Sequence, residues 1–565
     1  MMHFMDTASP AQSRLTDVAD ETNTPLPVAI FGASGNQTIS PEELGRAHLA
    51  AFNALEKQLG HRWRCTESNT KQPDAATDNA TTSCTITPSG TAIAPTASNA
   101  AALSSTATGS VVIQPTSTAT SSTTAPSAGI PLRKAAYPVV LVLHASVGSG
   151  HRSAAVAIAQ ALEEIRQMQT DNTADSETDA VQSPSLPSNC RIVVIDILAW
   201  GAHVFDGNKY ATGFTGSTRP IYDLIWRYTF TGRALWGQGT FLNYLLWSKF
   251  TRYLAYINPL AVVATHIMGA NMAAGGRIIN RQSFPLICVP TDYETEGLWP
   301  HRAADCFCVG TESMAETLRA RKVDEARIAL TGIPTRLDFC RTYDIDTARN
   351  RLGLPRDKKL ILALAGATLP QPYVNLRRIL NATLPVFAAH PDFHLVMVCG
   401  RDSTYADGVR SLCRALHLSN VTVMEYVEGM AELMASSNLI ITKSGGLTVT
   451  ECLCASTPMI LVGRAYGQEK ANVNMLTSNG AAMHVTTSRE LIDVLNSIDA
   501  HPERIAGMVM NANLLRLPNA ALDVARKTAA LAKAPAKNRL GHIPRRPGPL
   551  ALFSFYWGDK PAHIR

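Results

Sequence analysis

The stretch Ile441–Leu476, ITKSGGLTVTECLCASTPMILVGRAYGQEKANVNML, decides the fold. It opens on the end of an apolar strand, breaks at Gly445-Gly446, and enters a helix whose first turns hold Thr448 and Glu451. A second strand over residues 459–462 then runs into Gly467-Gln468-Glu469 and a helix carrying Asn472. Each unit is strand, turn, helix, with small residues where the helix starts. The first amides of a helix lack intrahelical acceptors and the helix dipole is positive there, so such a start binds anions. Lys443 adds a cation beside the first turn. Glu451, one turn in, suits ribose hydroxyls, and Gln468 with Glu469 suit a sugar. Together these residues predict a nucleotide-sugar site.

Further along the chain in both directions the alternation repeats. Apolar strand-like runs fall at residues 139–144, 191–197, 260–265, 285–290, 306–309 and 328–330, and again at 360–365, 394–399, 421–425, 439–442 and 459–462. Between them lie helical patterns such as residues 153–168, where Ala155, Ile158, Ala159, Leu162 and Ile165 recur at a 3.6-residue period. Two such series predict an α/β chain with two doubly wound, Rossmann-like domains facing across a cleft, at 136–335 and 336–530. The link between them is expected within 333–358. Residues 1–64 form an extension of unreadable role, with a strand expected at 28–31 and a helix from 41 to 60. Residues 65–135 are expected to be a disordered linker: from Asn79 to Leu132 there is no charged residue, and Ala, Ser and Thr dominate. A second polar insert spans 170–189, and 531–565 reads as a basic, Pro- and Gly-rich tail.

The first domain has its own signature. After the strand at 139–144 comes Ser146-Val147-Gly148-Ser149-Gly150-His151-Arg152-Ser153-Ala154-Ala155. Gly148 and Gly150 let the backbone turn sharply and approach a ligand. His151 then stands at a helix mouth on the carboxyl edge of the sheet, where open α/β folds bind ligands.

These two stretches resemble the glycosyltransferases that make monogalactosyl- and monoglucosyl-diacylglycerol. The family pattern T-K-x-G-G-L-T-x-x-E, then a strand, then G-Q-E-x-x-N, is met by Thr442, Lys443, Gly445, Gly446, Leu447, Thr448, Glu451, Gln468, Glu469 and Asn472. Residues 148–155 resemble its G-x-G-H-x-x-A-A motif. The resemblance covers roughly 139–485 and implies the GT-B architecture and an inverting transfer of a hexose from UDP-glucose or UDP-galactose to a diacylglycerol-type lipid. UDP-sugar is then a substrate, and neither a cofactor nor a metal is expected. Departures are Ser444 and Tyr466 where proline is common, Glu296 where a histidine is common, and Ser146 where the plant enzymes carry an Asp that is a candidate base. His151 is therefore the first candidate, polarising the acceptor hydroxyl or holding the phosphate, and Asp292, in Thr291-Asp292-Tyr293 at a strand end, the second. His266 resembles the family's T-H pair. The same residues also suit a transferase to another lipid such as lipid II, a sugar-nucleotide epimerase, or a non-catalytic UDP-sugar sensor.

Composition agrees with two globular cores: 565 residues, 46% hydrophobic and 17% charged. A net charge of +6 does not point to nucleic acid. The 11 cysteines form no C-x-x-C pair, which fits buried free thiols and a reducing compartment. No signal peptide or membrane span is expected, and the uncharged run between Arg252 and Arg277 is read as strand plus helix. The aromatic segment 219–256 holds Trp226, Trp236 and Trp247 with Arg219, Arg227, Arg233, Lys249 and Arg252 against Asp223 alone. With the basic tail it predicts peripheral attachment to an anionic membrane surface, on the cytoplasmic face.

Overall fold

The computed structural model describes residues 39–59, 63–67, 84–88, 130–131, 137–146, 148–172, 186–201, 246–295, 299–301, 303–366 and 373–533. The expected strand at 28–31, Glu296, Trp226, Trp236 and the tail beyond 533 lie outside the described residues. Helix α1 (Pro41–Leu59) is followed by a small antiparallel sheet of β1 (Trp63–Glu67), β2 (Cys84–Pro88) and β3 (Ile130–Pro131). Two of these strands fall inside the stretch that composition reads as a linker.

The first large domain runs β4 (Val139–His144), α2 (Ser149–Asn172), β5 (Arg191–Asp196), α3 (Ser248–Ile257), β6 (Ala261–Ala264), α4 (Ile267–Ile279), β7 (Leu286–Cys288), β8 (Cys306–Val309) and β9 (Ile328–Leu330). Its six strands are all parallel, in the order β5-β4-β6-β7-β8-β9. The second domain builds another parallel sheet from β10 (Lys359–Leu364), β11 (Phe393–Val398), β12 (Val421–Met424), β13 (Leu439–Thr442), β14 (Met459–Val462) and β15 (Ala482–Val485), in the order β12-β11-β10-β13-β14-β15. Helices α5 (Gly446–Cys454) and α6 (Glu469–Ser478) follow β13 and β14. This is the two-domain α/β fold of GT-B type. Strands β4, β6, β10 and β13 are buried along nearly their whole length, as parallel strands covered on both faces must be.

In each sheet the strand order reverses once, between β4 and β6 and between β10 and β13. Ligands of open α/β sheets bind outside the carboxyl ends at such a reversal. The Gly148–His151 turn follows β4, Thr265 follows β6, and Lys443–Gly446 follows β13, so both motifs stand at these points.

Two features tie distant sequence to the first domain. Helix α7 (Ala520–Lys533) comes after the second sheet, yet Ala521, Val524, Ala525 and Ala529 pack into the first domain's core beside Ile158 and Leu162 of α2. The start of α1 covers the open edge of β5. A Cβ on Gly45 would lie 1.8 Å from the Val194 carbonyl oxygen, so only glycine permits this approach. An uncovered edge strand would offer its unpaired backbone groups to other chains. Glu42 holds Arg152 through two bonds of 2.6 and 2.9 Å, His48 Nδ1 lies 2.7 Å from the Tyr253 hydroxyl, and Ser40 with Glu43 closes a capping box.

The aromatic segment is corrected where it can be seen. Trp247 is 2% exposed and donates from Nε1 to the Ile197 carbonyl at 2.9 Å. Phe250 and Tyr253 of α3 cluster with Trp200 in the interior. These rings satisfy their polar ends within the protein and fill its core, so Trp247 is no membrane anchor.

Candidate active site at the junction of the two domains

Helix α5 starts at Gly445 with no side-chain cap. Among the described residues, nothing accepts from the amides of Gly446, Leu447 and Thr448, which leaves three donors at one helix start. Thr448 is half-buried beside them. Lys443, at the end of β13, is ion-paired with Glu469 at the start of α6, joining the two strand–turn–helix units. Burial works to lower the proton affinity of Lys443, but Glu469, Tyr373 and Asp292 outweigh it and hold the amine charged. Gln468 stands at the amino end of α6. Gly467 there has φ +53, in the left-handed region that favours glycine.

Glu451 is half-buried, and no described group donates a hydrogen bond to its carboxyl. Burial pushes its pKa up to about 7, against the pull of Arg336 and with a further push from Asp338. An acceptor held this way favours a ligand that brings hydroxyl donors. Arg336 approaches the same carboxyl and keeps a buried Nε without a hydrogen-bond partner. Sequence reading took Ile333-Pro334-Thr335-Arg336 as plain linker and missed this arginine; a cation two residues after a proline between the domains was the available signal.

On the other side, Gly148 (φ +98) completes the turn before α2, and His151 lies in the helix's first turn. His151 Nδ1 is 3.0 Å from the Thr265 carbonyl oxygen and 2.7 Å from Thr291 Oγ1. A carbonyl can only accept, so the ring proton sits on Nδ1 and the Nε2 lone pair is left for other work. Burial keeps the ring below its ordinary pKa, while the Asp292 charge and the Thr265 carbonyl push the other way. Neutral imidazole is the form a base requires. Thr265 also donates to the His151 carbonyl at 2.8 Å, anchoring the turn. His266 packs edge-on against His151, with ring centroids 4.5 Å apart, and its Nδ1 caps α4 by accepting from Met268 at 3.1 Å. Its proton therefore sits on Nε2. Ser146, where the plant relatives carry Asp, donates to Asp196 Oδ2 at 2.6 Å. A carboxylate thus stands next to this position, contributed by the end of β5. Thr265 and Thr291 entered the sequence reading only as neighbours of His266 and Asp292, and Asp196 did not enter it.

The two halves touch. A Cβ on Gly150 would lie 3.6 Å from Leu447 Cβ, and one on Gly446 would lie 2.1 Å from the Thr291 carbonyl oxygen and 2.6 Å from Asp292 Oδ1. Gly446 is glycine because the strand end of the other domain rests on it. Asn472 Nδ2 donates to Asp292 Oδ1 and to the Ser444 carbonyl, both at 2.9 Å, and its Oδ1 accepts from the Tyr293 amide at 2.8 Å. These contacts bring Gly150 and Asp292 of the first domain, the latter beside Thr291 and His151, against Gly446 and Asn472 of the second. Gly148 lies in the same turn as Gly150, and Lys443, Gly445, Thr448, Glu451, Gln468 and Glu469 lie on the two strand–turn–helix units that carry Gly446 and Asn472.

Comparison with known proteins matches a stretch of each large domain. Residues 151–335 match the family described as monogalactosyldiacylglycerol (MGDG) synthase, and residues 371–524 match the glycosyltransferase family 28 C-terminal domain. Relatives include proteins named processive diacylglycerol beta-glucosyltransferase. That of Bacillus licheniformis is 28% identical over 42% of this chain and 60% of its own length, and that of Bacillus subtilis 28% over 43% and 61%. That of Staphylococcus saprophyticus is 25% identical over 67% of this chain and 89% of its own. The chain thus spans about three fifths of the first two relatives. Among solved structures, Acinetobacter baumannii MurG aligns with 69% of this chain and 98% of its own (18% identity, TM-score 0.42), and a Neisseria meningitidis UDP-GlcNAc 2-epimerase with 69% and 99% (14%, 0.44). Each of the two large domains is thus similar to a glycosyltransferase family model, the first to monogalactosyldiacylglycerol (MGDG) synthase and the second to the glycosyltransferase family 28 C-terminal domain.

Proposed function

We propose that this protein transfers a hexose from UDP-glucose or UDP-galactose to a diacylglycerol-type lipid at an anionic membrane surface, acting peripherally on its cytoplasmic face. One observation carries the reading. The uncapped start of α5 rests directly on the strand end that bears Asp292, and the His151 turn packs beside it. A diphosphate on the amides of Gly446, Leu447 and Thr448 would leave its sugar next to the first domain's acid–base groups, with the ribose within reach of Glu451. Gln468 and Glu469 stand at the amino end of the neighbouring helix, on the sugar side.

The lipid hydroxyl gives its proton to His151 Nε2 as its oxygen attacks the anomeric carbon, and the bond to the UDP oxygen breaks in the same in-line step. The configuration inverts. Asp292, beside the ring, stabilises the imidazolium that forms. The negative charge gathering on UDP meets helix-start amides that are already oriented, assisted by Lys443. No cofactor is invoked. Among the described residues no helix is long and apolar enough to cross a membrane.

The test is incubation with radiolabelled UDP-glucose or UDP-galactose and dioleoylglycerol, followed by lipid extraction. Label in the organic phase supports the proposal. A new free nucleotide sugar would mean an epimerase, label only on added lipid II another acceptor, and binding without turnover a sensor.

A further inference from the structure

We infer that Asn472 is a positioning residue that ties the donor helix to Asp292 across the two domains, and not a ligand of the sugar; the inference rests on the transferase reading above. The Asn472 side chain is fully buried. Its two N–H groups go to Asp292 Oδ1 and the Ser444 carbonyl, and its oxygen accepts from the Tyr293 amide. The opposite amide orientation would set N–H against N–H and oxygen against two acceptors, so these partners fix it. Both amide protons are used within the protein, and a sugar hydroxyl would have to displace a partner to reach them.

The position of this tie gives it a role in the reaction. Asn472 lies one turn beyond Glu469 on α6, and Ser444 precedes the glycine pair whose helix start would hold the diphosphate. Asp292 neighbours Thr291, which contacts His151 Nδ1 at 2.7 Å, and the Asp292 charge acts on the His151 ring. An unbroken path therefore runs from the donor turn through Asn472, Asp292 and Thr291 to His151. A parallel contact braces it. Thr450 donates to the Gly446 carbonyl at 2.7 Å, so the hydrogen bond of 3.0 Å between Thr450 and Tyr293 uses the Tyr293 proton. Gly446 against Thr291 closes the same seam. Asn472 thereby sets where the Asp292 carboxylate stands relative to both the sugar and the histidine.

The experiment compares full-length wild type with Asn472→Ala and Asn472→Asp in mixed micelles. Asn472→Asp keeps the acceptor for the Tyr293 amide but replaces the donor to Asp292 with a second carboxylate. Turnover on lipid should fall roughly ten- to a hundredfold in both variants, with Asn472→Asp the worse. The ratio of UDP-sugar to UDP affinity should stay within about threefold of wild type, as expected when no sugar contact is removed. The pH dependence of transfer should shift, because the charge facing His151 moves. Hydrogen exchange supplies a readout independent of turnover: the Tyr293 amide should lose protection in Asn472→Ala and keep more of it in Asn472→Asp. A selective loss of UDP-sugar over UDP binding, or unchanged Tyr293 exchange in Asn472→Ala, would overturn the inference. If Asn472→Ala does not fold, Asn472→Asp and Tyr293→Phe decide it, the latter expected to give a smaller fall of the same kind. A wild type that transfers no sugar to lipid would instead remove the proposed function, while the exchange result still judges the tie.

Discussion

Replacing Glu451 by glutamine separates the cost of this residue from its use. Its carboxyl is half-buried, receives no described hydrogen bond, and is pushed up to about 7 by burial, with Arg336 opposing and Asp338 adding. From an ordinary value of 4.5, that rise corresponds to roughly 3 kcal/mol at about 1.4 kcal/mol for each tenfold change in proton affinity. Partial solvent access reduces this to about 2 kcal/mol. The folded protein holds a proton that the unfolded chain gives up between these two values, so the folded state is favoured below about 4.5 and that advantage fades as pH rises through 7. Glu451→Gln cannot ionise and lacks this dependence. Urea unfolding at pH 5 and pH 8 should therefore show the wild type losing about 2 kcal/mol more than Glu451→Gln across the interval. Binding should move the opposite way. Ribose hydroxyls donate best to the ionised carboxylate, so at pH 8 calorimetry should give UDP a roughly ten- to hundredfold weaker Kd for the glutamine variant, with a smaller loss at pH 5.5. Parallel pH profiles of stability, or equal UDP affinity at pH 8, would refute the assignment of Glu451 to the ribose.

His151→Ala should lower turnover on lipid about a hundredfold or more while UDP still binds, and the wild-type acid limb should lie below pH 6.5, because burial keeps the ring neutral. Normal turnover in the variant would return the histidine to a structural role. Sedimentation with phosphatidylglycerol liposomes should be salt-sensitive, and should weaken when the chain is cut after Lys533 to remove Lys537, Arg539, Arg545, Arg546, Lys560 and Arg565. Equal binding to neutral phosphatidylcholine liposomes would rule out the electrostatic attachment. Trp247→Ala should leave liposome binding by the folded protein unchanged and cost about 3–5 kcal/mol of stability instead, measured by denaturant unfolding.

Much of the fold was written locally. Runs of buried apolar residues set the parallel strands, a 3.6-residue period set α2, and the turns at Gly148 and Gly467 required positive φ. Such signals lie within a few residues of one another, so a single sequence displays them. The short strand β15 was missed because its four residues Ala-Met-His-Val alternate too weakly in polarity to stand apart from the helices beside it. The site was legible as two motifs, each a helix start at a strand end. Its assembly was not. Asn472 and Asp292 are 180 residues apart, and Gly446 faces Thr291 only because two sheets are docked with their carboxyl ends together. Pattern reading placed Asn472 in the nucleotide-sugar site through its motif and Trp247 at the membrane through its residue type. Tertiary packing decides which partner a polar or aromatic side chain meets, and here it supplied both from within the protein. The same holds for Gly45, whose missing Cβ acquires a purpose only against the edge of β5. Sequence determined the elements and the chemistry available at their ends; the docking of the domains determined which of those groups face one another.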